Sequence, residues 1–106
     1  MRYINTVVSD TFSDEERTIT LMKSQKHPVV ETTYIQVEDS NNLTLTVKGQ
    51  IATLTTPTQI ASIDMNTFMR VQDITEDGLY MVLSEELQAI TLEVEGSAMI
   101  TVKVIE

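Results

Sequence analysis

Histidine is the side chain best suited to act as a base near neutral pH, and this chain contains one, His27. Nucleophilic catalysis would require that base to meet a hydroxyl, with an acid to orient the ring. The residues around His27 are Lys23, Lys26 and Pro28, a composition typical of a polar connection between strands. No Gly-x-Ser-x-Gly motif marks a nucleophile. We therefore predict a solvated loop histidine and no enzymatic activity.

Carboxylates occur in clusters, and paired carboxylates are the catalytic groups of most glycosidases. The clusters are Asp14 to Glu16, Glu38 with Asp39, Asp73 with Glu76 and Asp77, and Glu85 with Glu86. Sugar-cleaving sites usually contain aromatic platforms, but aromatic residues make up 5% of the chain and tryptophan is absent. All but the first cluster adjoin predicted turns, so we predict that these acids are solvated turn residues.

Asp73, Glu76 and Asp77 place hard oxygen ligands in one loop before Gly78, and calcium prefers such ligands. Their spacing is not that of an EF-hand, so we predict no metal site and keep calcium at these three residues as the alternative. The absence of cysteine removes disulfides, thiolate catalysis and cysteine-ligated zinc. Three isolated glycines form no phosphate-binding loop, and we predict no cofactor.

The elements that position these residues are predicted to be strands, because threonine and aliphatic residues alternate with period two along much of the chain. Ile19 and Leu21 share one face of a predicted strand. Two further sets also alternate and are predicted to face inward: Leu43, Leu45 and Val47, and then Ile90, Leu92, Val94, Ala98, Ile100, Val102 and Val104. We predict that these inward faces form the core.

Turn-forming residues divide the chain into eight or nine predicted strands. The further strands are residues 3–8, 29–37, 50–55, 67–72 and 79–83, and Gly96-Ser97 is predicted to be a hairpin tip. The capping-box pattern from Ser13 to Glu16 predicts either one short helical turn or a solvated acidic loop. Many short strands at this spacing are typical of an all-β fold, a two-sheet antiparallel β-sandwich of jelly-roll type.

We predict a single β-sandwich domain over residues 1–106, because a chain of this length can bury one core and not two. Residues 1–39 are less regularly patterned, and they form either part of that domain or an arm for attachment or oligomerisation. As an arm they would pair with a neighbour by adding strands to an exposed edge.

Met99 and Ile105 are candidate interface residues, since both fall on the strand face opposite Ile100 and Val102. Either a second sheet or another subunit would cover them. Soluble monomers seldom expose apolar patches without use, which favours the subunit. We therefore predict a homo-oligomer, a dimer or a trimer.

The seven basic and 16 acidic residues give a formal net charge of −9, which repels nucleic-acid phosphates and anionic lipids. No segment approaches the roughly 20 apolar residues of a membrane helix, and the first residues lack the apolar stretch of a signal peptide. We expect no nucleic-acid partner, no membrane partner, and synthesis in the cytoplasm.

Residues 74–82, 87–94 and 96–102 together resemble the C-terminal β unit of small virion surface proteins of tailed phages, of the head-fibre and decoration type. The shared features are a Gly-x-Tyr strand start at Gly78 and Tyr80, an alternating strand, and a glycine-marked hairpin at Gly96 into a final Thr-Val strand. The resemblance covers about the last half of the chain and transfers no catalytic residue.

This resemblance implies a non-enzymatic virion protein, a head fibre or capsid decoration protein that self-associates and docks on a phage capsid or another virion protein. Its location would be the virion, after synthesis in the host cytoplasm. The alternative is a small carbohydrate- or ligand-binding β module with a glycan partner, assisted by calcium at the loop from Asp73 to Asp77. The first hypothesis predicts an oligomer and the second a monomer.

Overall fold

The computed structural model describes residues 4–22, 32–52, 54–84 and 87–105, so His27, Glu85 and Glu86 lie outside the described residues. Eight strands occupy these ranges, and no helix occurs in them. The strands are β1 (Ile4–Met22), β2 (Thr32–Gln50), β3 (Thr58–Gln59), β4 (Ser62–Asp64), β5 (Arg70–Val71), β6 (Asp73–Ile74), β7 (Gly78–Leu83) and β8 (Ala89–Ile105). The predicted all-β class is confirmed.

All strand pairs are antiparallel and belong to one open sheet in the order β1-β8-β2-β7-β4-β5, with β3 and β6 also paired to β2. The sheet is therefore continuous, whereas the sequence predicted two sheets. Residues 4–22 form its edge strand and residues 32–39 begin its central strand β2, so the described part of residues 1–39 pairs within its own chain.

The three long strands β1, β2 and β8 must bend. A strand of 19 residues, the length of β1, would extend about 60 Å, but the longest axis of the molecule is 36 Å. Register shifts in β1 and β2 coincide at one level of the sheet, where β1 has one extra residue between Phe12 and Glu15 and β2 has two between Glu38 and Thr44. A further shift in β1 lies between Thr6 and Val8. Such bulges are the usual means by which a strand changes direction.

Left-handed backbone conformations occur at the same level. Asp14 has a φ of 44°, Asp39 of 54° and Asn42 of 52°, and Gly96 in β8 has a φ of 112°. Aspartate, asparagine and glycine are the residues that adopt positive φ most readily. The bend is thus built from residue types that tolerate the conformations it needs.

The bend brings the two parts of the sheet together. We call the part with residues 4–12 of β1, 32–38 of β2, 98–105 of β8 and strands β4, β5 and β7 limb A. The part with residues 15–22 of β1, 43–50 of β2, 89–96 of β8 and strands β3 and β6 is limb B. Asp10 in limb A and Arg17 in limb B lie about 23 Å apart along an extended strand, yet their side chains form an ion pair of 2.8 Å.

Both limbs contribute to one apolar core. Limb A provides Ile35, Val37, Ile100 and Val102, and limb B provides Leu45, Val47, Leu92 and Val94, all at most 1% exposed and all in one cluster. Burial of each such side chain stabilises the fold by about 1.5–3 kcal/mol. The inward faces predicted from the alternation of these residues are confirmed.

Several predicted element boundaries are wrong. Gly96-Ser97 is not a hairpin tip, because β8 runs through it from Ala89 to Ile105. Ser13 to Glu16 forms no helical turn and lies inside β1, where Asp14 begins the bend. Gln50 ends β2, and beyond it the Ala52 carbonyl accepts the Thr55 N–H at 3.3 Å in a turn. Only Arg70–Val71 of residues 67–72 is a strand.

Candidate interaction surfaces

Two of the three acids kept as alternative calcium ligands, Asp73 and Asp77, have carboxylates that accept hydrogen bonds from the protein. Oδ1 of Asp73 accepts hydrogen bonds from Thr46 Oγ1 at 3.2 Å and Gln59 Nε2 at 2.9 Å, which ties β6, β2 and β3 together. The Asp77 carboxylate accepts the N–H of Ser40 at 2.9 Å and that of Asp39 at 3.2 Å. In the described ranges, no group of three or more histidines and acids is arranged to hold a metal ion.

Asp77 therefore supports the bend of β2. Hydrogen bonds from the Ser40 side chain, and then from the backbone N–H groups of Ser40 and Asp39, hold the pKa of Asp77 below its ordinary value because they favour the charged carboxylate. A negative charge at Asp77 thus fixes two backbone donors where β2 changes direction.

Glu76 contributes its backbone carbonyl, which accepts the Tyr80 hydroxyl at 2.9 Å. Burial raises the pKa of Tyr80, and the charges of Asp64, Glu76 and Asp77 raise it further. The phenol therefore stays protonated and donates this hydrogen bond to the Glu76 carbonyl. The segment from Gly78 to Tyr80 thus has a structural role at the start of β7.

The outer face of limb A carries an apolar row between two cations. Cross-strand pairing aligns five residues on five neighbouring strands in the order Lys103, Tyr34, Met81, Ile63 and Arg70. The side chains of Lys103 and Arg70 are exposed, and the three central ones are half-buried. No ion pair joins either cation to a carboxylate of the described residues, whereas Arg17 and Lys48 are both paired.

The apolar row widens along β7, where Leu79 and Leu83 point to the same side as Met81 and are exposed. Met99 lies on the same face and is 40% exposed, opposite the buried Ile100 and Val102. Ile105 ends β8, and its side chain lies outside the described part of the chain. The face predicted to carry Met99 thus includes Tyr34, Ile63 and β7, which sequence analysis missed although residues 79–83 form a continuous apolar run.

Two turns also expose large apolar side chains to solvent. In the first, the Asp64 carbonyl accepts the Phe68 N–H at 2.7 Å, and Phe68 and Met69 are 76% and 67% exposed. Phe68 has a φ of 59°, a left-handed conformation that costs free energy in a bulky residue. In the second, Leu54 is 99% exposed in the turn closed by Ala52 and Thr55.

The outer face of limb B is polar and acidic. Glu16 of β1 lies directly opposite Glu95 of β8, and Thr18 lies opposite Glu93. An open groove of about 160 Å³ is lined by these residues together with Thr44 and others of β2. Like charges directly opposite each other repel, and no ion pair between described residues involves Glu16 or Glu95, whereas Glu93 pairs with Lys48 at 3.0 Å.

The described ranges contain no helix of the length and hydropathy that crossing a bilayer requires.

No protein-family model matches the chain, and no curated protein matches it either. Among solved structures, the SPBc2 prophage-derived protein YomS is similar with a TM-score of 0.70 and 10% identity, over 100% of this chain and 94% of YomS. PliG of Aeromonas hydrophila, a periplasmic inhibitor of g-type lysozyme, aligns with a TM-score of 0.49 and 13% identity over 99% of this chain and 86% of PliG. At these identities the comparison with YomS shows a shared fold, that of a protein of prophage origin.

Proposed function

We propose that this chain is a non-enzymatic structural protein of a tailed-phage particle, a head fibre or capsid decoration protein that self-associates and docks on the virion. The observation that carries the proposal is the turn at residues 64–69. Its hydrogen bonds hold Phe68 and Met69 in solvent. Exposed large apolar side chains mark interaction sites, and aromatic anchors often dominate interface energies.

The backbone of Phe68 supports the same role. A left-handed conformation in a phenylalanine costs about 1–3 kcal/mol, and the turn maintains it while leaving the ring exposed. Contact with a partner would bury the ring without any rearrangement of the turn. A rigid, exposed anchor of this kind loses little conformational entropy on docking.

The fold is compatible with this assignment. YomS, whose fold this chain shares, is prophage-derived, and the features around Gly78, Tyr80 and Gly96 resemble virion surface proteins of tailed phages. We also infer that limbs A and B act as the two layers of a jelly-roll-like sandwich. The shared core and the Asp10–Arg17 ion pair support that packing.

The experiment is reconstitution on particles. Particles are prepared from a phage lacking this coding sequence, incubated with purified protein and sedimented, and bound protein is quantified by mass spectrometry. We expect the natural chain to sediment with the particles at a fixed copy number and Phe68→Ser to lose most of that binding. Leu54→Ser removes an even more exposed apolar side chain from the other turn and serves as the control.

Two results would overturn the proposal. The first is a natural chain that stays in the supernatant and is absent from particles grown with the intact gene. The second is equal particle binding by Phe68→Ser and the natural chain, which would remove the turn as the docking element. Circular dichroism of each variant separates lost docking from lost folding.

A further inference from the structure

The two outer faces of the molecule differ in charge, because the outer face of limb A carries two cations and one acid, Glu38, whereas acids predominate on that of limb B. The row across limb A ends in Lys103 and Arg70, two cations that pair with no carboxylate of the described residues, whereas limb B presents Glu16, Glu95 and Asp73. Because both limbs pack their inner faces on one core, their outer faces point away from each other. A molecule of this kind can stack on a copy of itself head to tail.

We propose that the outer face of limb A binds the outer face of limb B of a second copy, so that the chain self-associates through a heterologous contact. The apolar row of one molecule then packs against the threonine-rich, acidic outer face of limb B of the next molecule. This deepens the self-association included in the proposed function by naming its two faces.

The spacing of the charges agrees with this contact. Lys103 and Arg70 are four strands apart, about 19 Å at the usual strand separation. Glu16 and Asp73 are three strands apart and offset by two residues, about 16 Å. Long, flexible lysine and arginine side chains span the difference of about 3 Å.

A cation from a neighbour would also relieve a repulsion within each copy. Glu16 and Glu95 face each other directly across β1 and β8, which destabilises a sheet. Placing Lys103 or Arg70 of a second copy between them replaces that repulsion by attraction. Between the charged ends, Tyr34 and Met81 would meet the methyl groups of Thr44 and Thr46.

A twofold contact between two limb A faces is disfavoured by the same charges. A symmetric pairing of that face on itself would place the ends of the row, Arg70 and Lys103, near the cations of the other copy. Heterologous contacts either close into a ring or continue as a filament, depending on the rotation between copies.

The contact is small. Five strands by the length from Leu79 to Leu83 cover about 24 Å by 14 Å, on the order of 300 Å² per copy. That area is below the standard size of stable complexes, so the contact is weak and becomes effective in an array or at high local concentration. Salt weakens it because exposed charges contribute to it.

Two charge-reversed variants test the proposal by analytical ultracentrifugation at low salt. The first, Arg70→Glu with Lys103→Glu, blocks the limb A face, and the second, Glu16→Lys with Glu95→Lys, blocks the limb B face. We expect the natural chain to associate with increasing concentration and each variant alone to stay monomeric. A mixture of the two variants contains a natural limb B face on the first variant and a natural limb A face on the second. The other face of each variant is charge-reversed.

In that mixture the intact limb A face of the second variant binds the intact limb B face of the first. The reversed faces, acidic on limb A of the first variant and basic on limb B of the second, also attract each other. The mixture is therefore expected to regain concentration-dependent association in which the two variants alternate. A natural chain that is monomeric at all concentrations overturns the proposal, as does a limb B variant that still dimerises alone, which would indicate a twofold limb A contact. If the mixture of variants associates but the chain is absent from phage particles, the head-to-tail contact is supported and the proposed virion role is not.

Discussion

Gly96 lies where β8 passes through the bend, and its lack of a side chain is required there. A Cβ at this position would lie 2.3 Å from the carbonyl oxygen of Asn42, and the φ of 112° is unfavourable for any other residue. We expect Gly96→Ala to lower the free energy of unfolding by about 3 kcal/mol, combining backbone strain with a backbone clash. Urea denaturation measures this loss.

Gly49→Ala is the matched control. The added Cβ at Gly49 would meet Leu87 Cδ1 at 2.9 Å and Ile60 Cδ1 at 3.2 Å, and these are ends of side chains that can move. Its expected cost is about 1 kcal/mol. Equal stability of the two variants would show that the bend at Gly96 tolerates an ordinary residue.

The carboxylate of Asp77 makes the bend sensitive to acid. Since its pKa is lower in the folded chain than in the unfolded chain, its contribution to stability is present above the unfolded pKa and is lost as the pH falls through the folded pKa. We expect Asp77→Asn to be less stable than the natural chain at pH 7, and the difference to shrink below the usual aspartate pKa of about 3.9. Urea denaturation across this pH range measures it, and a difference independent of pH would contradict the charged role.

At the scale of elements, an ion pair between described residues joins the two limbs. Arg17 contacts Asp10 at 2.8 Å and lies 4.1 Å from the centre of the Phe12 ring, with the two charged side chains 42% and 57% exposed. Because exposed pairs are weak, we expect a coupling of about 0.5–1 kcal/mol in a double-mutant cycle of Asp10→Asn and Arg17→Met. The cation–π contact adds about 0.5–1 kcal/mol to the cost of Arg17→Met.

The Lys48–Glu93 pair provides the comparison, since it lies on one face of limb B and joins no limbs. Its coupling should fall at the lower end of the range for exposed pairs, a few tenths of a kcal/mol. A coupling near zero between positions 10 and 17 would show that the core alone holds the limbs together.

The alternation of apolar residues predicted which faces are buried but not how many strands carry them. In β8 the inward residues have even numbers from Ile90 to Val104, and this unbroken parity through Gly96 is the signal of one continuous strand. In β1 the parity changes from Phe12 to Ile19, as one extra residue in the bulge requires. Glycine and polar residues mark a bend in a strand as well as a hairpin, so composition alone could not distinguish them.

The candidate surface was less accessible to sequence analysis than the core. Met99 was identified because its neighbours alternate, but the row from Lys103 to Arg70 joins residues far apart in the chain. Only the strand order places β4 beside β7 and β5 beside β4. Which residues align in a row across a sheet depends on how the strands pair, and a single sequence does not specify that pairing.

At the scale of the whole molecule, the net charge of −9 acts on a body of 36 × 30 × 25 Å. At low salt its charges repel one another across much of this body, because the Debye length is about 30 Å at 0.01 M and about 10 Å at 0.1 M. We expect NaCl to raise the melting temperature by a few degrees, roughly the effect of 1 kcal/mol. The same salt should weaken the head-to-tail contact.

The variant Glu16→Lys with Glu95→Lys separates these two effects. It changes the formal net charge from −9 to −5, since each substitution adds two positive charges, and it lacks the limb B contact face. Because this variant has less charge repulsion for salt to screen, its melting temperature should rise less with salt than that of the natural chain. Calorimetry at dilute protein measures the difference. A natural chain that melts at a lower temperature in salt would mean that its ion pairs, such as Asp10–Arg17 and Lys48–Glu93, outweigh the repulsion between its acids.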